Sequence, residues 1–269
     1  MISIVIPTYN RADRLREAIQ SVVDQTFSDW ELIIVDDGST DSTEKVVGSF
    51  DDDRIYCFRQ ENKGVSAARN LGILAARGDL VAFLDSDDRW EPKKLEVQKS
   101  FFDSHPDAHI CQTEEIWIRN GVRVNPKKKH AKPSGWIFKE CIPLCCVSPS
   151  AVMIRREVFD KVGLFDDSLL SCEDYDLWLR ASLYYEIVTL PDPLTIKVGG
   201  HDDQLSRKPC LDKYRIQSLK KLLDNPALLP AFRPIVEADI DRRSSILENG
   251  SRKRSCSFES RATSPESRN

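Results

Sequence analysis

Three short polar clusters carry residue types that do chemistry, and each directly follows an apolar run. They are Thr8-Tyr9-Asn10 after residues 2–6, Asp36-Asp37 after residues 31–35, and Asp85-Ser86-Asp87-Asp88 after residues 80–84. The third is the most informative, because its carboxylates follow Val81-Ala82-Phe83-Leu84 at once and present several hard oxygen ligands together. Such a group suits Mg²⁺ or Mn²⁺, which keep open positions for substrate phosphates and neutralise charge on a departing diphosphate. The same spacing also fits an acidic turn entering a helix, where capping and the dipole favour Asp. Far downstream, Glu173-Asp174-Tyr175-Asp176-Leu177-Trp178 opens a helical pattern. Ser171 and Asp174 have the spacing of a capping box, which would fix the Asp174 carboxylate at a helix N-terminus.

The elements that must position these clusters alternate between strand and helix. Residues 2–6 form a short apolar run closed by Pro7, which suits a buried parallel strand. Asn10 is placed to cap a helix running to Gln25, and Asp41 with Glu44 three residues on reads as a second helix start. Further strands are expected over residues 31–35, 54–58 and 80–84, with an Ala-rich helix over residues 65–77 stopped by Gly78. This rhythm implies an α/β fold with a mostly parallel sheet covered on both faces. In such a sheet ligands bind at the carboxyl ends of the strands, where all three polar clusters fall.

After a helix over residues 92–104 the rhythm changes. A strand at residues 110–118, a turn at Asn120-Gly121 and the polar run Lys127-Lys128-Lys129-His130 mark a second half. A strand at 150–154, a short helix at 156–162, a helix at 173–183 and closing helices at 212–223 and 235–247 follow. The expected organisation is residues 1–105 and 106–210 as two halves of one domain, with 211–249 as C-terminal helices. From Gly250 onward Ser, Arg and Glu dominate, so residues 250–269 are expected to be disordered.

With 269 residues, 41% of them apolar, the chain can bury a large core without staples. A formal charge of −4 points to neither nucleic acid nor a membrane, so an anionic ligand must be caught locally. The start reads as a strand rather than a signal peptide, and no run reaches the roughly 18 apolar residues of a spanning helix. A cytoplasmic protein is the expectation. The 8 cysteines contain no C-x-x-C pair and read mostly as buried thiols. A metal cluster of Cys141, Cys145 and Cys146 lacks a second ligand pair at zinc spacing. The lysine run to Lys132 reads as a solvated loop before it reads as an anion or membrane site, and Arg252-Lys253-Arg254 is too short for nucleic acid.

Val5-Ile6-Pro7-Thr8-Tyr9-Asn10-Arg11, Ile34-Val35-Asp36-Asp37-Gly38-Ser39-Thr40-Asp41, Asn62-Lys63-Gly64-Val65-Ser66-Ala67-Ala68-Arg69-Asn70 and Phe83-Leu84-Asp85-Ser86-Asp87-Asp88, followed by Glu173-Asp174, occur in the order seen in one enzyme family. On these segments the chain resembles a family 2 glycosyltransferase of GT-A fold over about residues 2 to 206. The resemblance implies a Rossmann-like nucleotide-sugar-binding half over residues 1–105, an acceptor-binding and catalytic-base half over residues 106–210, and inverting transfer from a nucleotide diphosphate sugar, with a UDP-sugar as donor. Asp37 would hold the uracil, and Pro7, Thr8 and Tyr9 would shape the base pocket. Asp85, Ser86 and Asp87 would form the D-x-D site, with Asp87 on Mn²⁺ or Mg²⁺. Lys63 or Arg69 either approaches the donor or lies on a helix surface. Asp174 would be the general base, since a single displacement needs one carboxylate to take the acceptor proton, and Glu173 a supporting carboxylate. His201 resembles a loop residue that joins the metal in parts of the family, and equally an ordinary surface histidine. A growing polysaccharide or lipid-linked glycan is the implied acceptor, which would bring the protein to the inner membrane face without an anchor.

Two other readings compete. A sugar-nucleotide nucleotidyltransferase would begin with a Gly-rich phosphate loop, but the N-terminal loop here has no glycine; dehydrogenase and P-loop motifs are absent too. A catalytically inactive nucleotide-sugar-binding protein would not need Asp37, Asp85, Asp87 and Asp174 all intact.

Overall fold

The computed structural model describes residues 1–125, 130–200 and 210–262, with side chains described as far as residue 249. The described chain divides into two compact units, Met1–Arg207 and Lys208–Asn269.

The first unit is built on one sheet. Four parallel strands, β1 (Ile2–Thr8), β2 (Trp30–Asp36), β3 (Ile55–Arg59) and β4 (Leu80–Phe83), take the order β3-β2-β1-β4. Both β1 and β2 are buried along their whole length, as strands covered on both faces must be. Pro7 is tolerated in β1 because the pairing with β4 stops at Val5 opposite Phe83, so its missing N–H breaks no ladder bond. The sheet then continues through β8 (Val152–Arg155), β6 (Ile110–Arg119), β9 (Ile187–Gly199) and the two-residue β5 (Arg89–Trp90), with β7 (Val122–Val124) paired to β6. Antiparallel β8 joins the two parallel pieces. The helices of this unit are α1 (Ala12–Val23), α2 (Thr43–Val47), α3 (Val65–Ala75), α4 (Lys94–Ser104), α5 (Phe138–Cys141), α6 (Val158–Val162) and α7 (Glu173–Ala181). One core cluster packs Ile2, Ile4 and Ile6 of β1 against Leu15 and Ile19 of α1, Leu32 and Ile34 of β2, and Leu95 and Phe102 of α4.

Several expectations shift. Helix α1 ends at Val23 rather than Gln25, and Asn10 does not cap it. Asn10 has φ 51° and its side-chain oxygen accepts from the Thr40 and Asp41 amides instead. The cap comes from across the loop, where Asp41 accepts from the Ala12 amide at 3.0 Å while its other oxygen takes the Thr43 amide. The capping box at α7 is not formed: Cys172 occupies the N-cap with φ 62°, and the Ser171 hydroxyl donates to the Leu170 carbonyl. Among the described residues Cys111 and Cys141 are buried, whereas Cys57 and Cys210 are exposed, so the thiols are not mostly buried.

In the second unit α8 (Leu211–Leu223) and α9 (Arg233–Ala262) form a pair. Within it Arg243, 2% exposed, reaches Asp212 at the start of α8 and Asp239 one turn back. Helix α9 extends to Ala262, into the segment after Gly250 whose composition predicts disorder. Among the described residues no helix is long and apolar enough to cross a membrane.

Candidate active site

The carboxyl ends of β1, β2 and β4 bring the three polar clusters to one edge of the sheet. In parallel register Thr8 lies opposite Asp36, and the Asp37 amide donates back to the Thr8 carbonyl. Asp37 is 4% exposed, and its carboxylate accepts three hydrogen bonds: one oxygen from Gln60 Nε2 at 2.7 Å and the Lys63 amide at 2.9 Å, the other from the Gly64 amide at 2.8 Å. Asp37 therefore fixes the 60–64 loop against the first two strands. Gly38 makes this close approach possible, since at φ +85° an added Cβ would lie 3.0 Å from the Asn62 nitrogen. The Thr8 hydroxyl nearby is buried without a hydrogen-bond partner, while Tyr9 is exposed.

After β4 the chain turns, with the Asp88 amide donating to the Asp85 carbonyl, and Asp85, Asp87 and Asp88 bring carboxylate oxygens within 4.8 Å of one another. Like charges this close require cations, and three converge. Arg69 of α3 donates to Asp85 at 2.7 Å, Arg11 lies 3.0 Å from Asp87, and Lys197 of β9 lies 2.7 Å from Asp88 and 3.4 Å from Asp85. Burial pushes Asp85 up, but Arg69 and then Lys197 outweigh it and hold the carboxyl well below the usual range. Burial is also the largest influence on Asp88 and, with Asp87 and Asp85 beside it, raises it to about 7 against the pull of Lys197. Asp88 is anchored further by the Ser150 hydroxyl at 2.5 Å and the Val198 amide at 3.0 Å. The oxygen-only donor set of Asp85 and Asp87, with Asp88 behind them, fits a hard divalent cation.

Arg69 has a second carboxylate partner. Its other terminal nitrogen donates to Glu173 at 2.7 Å, so one guanidinium, 3% exposed, ties the aspartate turn to the start of α7. Two segments roughly ninety residues apart in sequence thus meet within the span of a single side chain. Glu173 is buried, which raises its carboxyl despite Arg69. Asp174 is only partly buried; one oxygen accepts from the Tyr175 amide at 2.7 Å, and the Cys145 thiol donates to the other at 3.5 Å. Helix α7 is held by its own buried face, with Trp178 and Leu179 in the core and the Tyr175 hydroxyl donating to the Ile142 carbonyl.

The glycosyl transferase family 2 model matches residues 3–163, more than half of the chain. The chain belongs to that family. An uncharacterized glycosyltransferase of Rickettsia typhi is 32% identical over 219 residues, covering 76% of this chain and 65% of the relative. The chain spans only 32% of the length of a Rickettsia conorii relative, 34% identical. The Escherichia coli enzyme WfgD, named a UDP-Glc:α-D-GlcNAc-diphosphoundecaprenol β-1,3-glucosyltransferase, is 33% identical over 180 residues, covering 66% of this chain and 68% of its own. Among solved structures, Staphylococcus aureus TarS in complex with UDP-GlcNAc superposes with a TM-score of 0.75 at 22% identity, over 90% of this chain and 72% of that one. The sheet is thus that of a GT-A fold, largely parallel with an antiparallel insertion.

Against the family motifs, the residues assigned from sequence fall into distinct places. Asp85, Asp87, Arg69 and Glu173 come together, and Arg69 is buried between carboxylates rather than on a helix surface. Pro7 and Ser86 are buried at the strand ends, and Lys63 is exposed, touching Asp37 through its amide alone. His201 lies outside the described residues, as do Lys127, Lys128 and Lys129. Lys132, expected in a solvated loop, is instead buried with Glu115 at 3.0 Å, each side chain 6% exposed. Four contributors went unassigned. Arg11 was visible inside the first family motif and Cys145 within the Cys141, Cys145, Cys146 run weighed as a metal cluster, but Lys197 and Ser150 sit on segments whose sequence carries no chemical pattern.

Proposed function

We propose that this family 2 chain is an inverting glycosyltransferase that moves a sugar from a UDP-sugar to an acceptor hydroxyl in polysaccharide or lipid-linked glycan synthesis. The observation that carries the reading is Arg69, which couples the aspartate turn, suited to the donor diphosphate, to the helix that carries Asp174. In a single displacement the acceptor oxygen forms the new bond to the anomeric carbon as the bond to the diphosphate oxygen breaks, and the acceptor proton passes to the Asp174 carboxylate. The Tyr175 amide and the Cys145 thiol orient that carboxylate. Thr8 and Tyr9 shape the base site, and Asp37 holds the uracil while it anchors the loop of residues 60–64. Mn²⁺ or Mg²⁺ held by Asp85 and Asp87 would supply charge neutralisation for the leaving diphosphate. Support for a metal-assisted nucleotide-sugar site comes from neighbours of the same fold, TarS with UDP-GlcNAc and a Pyrobaculum calidifontis mannosyltransferase described with GDP-Man and Mn²⁺. The diphosphoundecaprenol acceptor in WfgD's name supports a lipid-linked acceptor, which would bring the protein to the inner membrane face.

The test is calorimetric titration with UDP, with and without Mn²⁺, followed by a panel of nucleotide sugars scored for released product. UDP release with metal-enhanced UDP binding is the expected outcome. Pyrophosphate release would favour the nucleotidyltransferase, and binding with no turnover on any donor or acceptor the inactive protein.

A further inference from the structure

The aspartate turn has a cation of its own. The Lys197 ammonium touches two of the three clustered carboxylates, closely at Asp88 and more loosely at Asp85. Its position is set by the sheet: β5 pairs Arg89 with Ile196, which places the next residue of β9 beside the turn. Asp88 is 1% exposed and is clamped by Ser150 and by the amide of Val198, the neighbour of Lys197, which holds the ammonium beside the turn. Four carboxylates (Asp85, Asp87, Asp88, Glu173) here face three cations among the described residues (Arg11, Arg69, Lys197), a formal excess of one negative charge. A divalent ion on Asp85 and Asp87 reverses that sign, and a diphosphate restores it.

Resting on the metal-dependent reading above, we propose that Lys197 is a built-in competitor for the divalent cation, so that the metal binds tightly only together with the nucleotide diphosphate. Asp88 is then the anchor of the competing ammonium rather than a metal ligand. Lys197 shares Asp85 with the metal and repels it across the turn, and the diphosphate supplies the charge that makes room for both.

The experiment measures Mn²⁺ affinity of the full chain, by the paramagnetic resonance signal of free Mn²⁺, with and without UDP, for wild type, Lys197→Met and Lys197→Arg. Wild type should bind Mn²⁺ weakly alone and markedly tighter with UDP. Lys197→Met should tighten binding without UDP by about tenfold or more and shrink the UDP effect, while Lys197→Arg should stay near wild type. Circular dichroism checks folding, and Lys197→Gln replaces the Met variant if that one fails to fold. Equal Mn²⁺ affinity of folded wild type and neutral variants overturns the inference, as does a wild type that binds Mn²⁺ equally with and without UDP, which needs no variant. A wild type that binds no Mn²⁺ even with UDP brings down the metal-dependent reading itself, and the competition with it.

Discussion

Replacing Arg69 with Met keeps most of the side-chain volume but removes the charge that joins the aspartate turn to α7. Losing one partner of a buried ion pair costs about 3–5 kcal/mol, because the remaining charge is left uncompensated. Asp85 is 22% exposed and retains Lys197, so the cost falls mainly on Glu173, which is 6% exposed. At about 2–4 °C per kcal/mol, the melting temperature should fall by roughly 6–20 °C. Thermal unfolding by circular dichroism reads this directly. Adding Glu173→Gln should recover part of the loss, since the stranded group is then neutral. The deficit should also depend on pH. Glu173 is already raised above 4.5 by burial, and without Arg69 it rises further. Such a group takes up its proton in the folded state first, so stability is lost as pH rises from 4.5 through the folded value and regained as pH falls back. The gap between variant and wild type should therefore narrow toward pH 5. A melting temperature within about 1 °C of wild type, or a double variant no more stable than Arg69→Met alone, would refute the bridging role.

Asp174→Asn should keep UDP binding and lower turnover by about a hundredfold or more, and near-normal transfer would remove Asp174 from the mechanism. Asp87→Ala should weaken Mn²⁺ and donor binding together by about tenfold or more in titration calorimetry; unchanged values would move the metal elsewhere. Lys94→Met should stabilise the fold most at and below neutral pH. Lys94 is fully buried between Trp90 and Gln98, and burial pushes it down to about 7, so the unfolded chain binds its proton up to 10.5 while the folded chain does not. Wild-type stability should rise from pH 7 to 10.5 relative to the variant, and a pH-independent difference between their melting temperatures would rule this out.

Strands β1, β2 and β4 were legible because each is a short apolar run closed by Pro or Asp, a purely local signal. Strand β9 was not. It carries Pro191 and Pro193, which argue against a strand, but they fall where the β6–β9 register shifts, between Leu190 opposite Thr113 and Thr195 opposite Glu115, and a bulge tolerates missing amides. The alternation of Thr195, Ile196, Lys197 and Val198 was the available clue, too short to outweigh two prolines. The capping box at α7 failed for a similar reason. Its spacing was right, but Cys172 adopts a left-handed conformation that turns the Ser171 side chain away.

The same contrast explains the site. Acidic clusters announce themselves in sequence because ligand carboxylates lie one or two residues apart, whereas the cations that make such a cluster tolerable arrive from α3, β9 and the start of α1, with no mutual spacing to read. Charge balance at the aspartate turn is thus a property of the sheet's topology and not of any motif. Four carboxylates crowded at low exposure would repel and protonate without Arg11, Arg69 and Lys197, and hold a metal too tightly to release it if those cations were fewer. The formal charge of the whole chain says nothing about this local balance. Three basic residues far apart in sequence set the charge balance on which the proposed metal site rests, and this fold delivers all three to the turn.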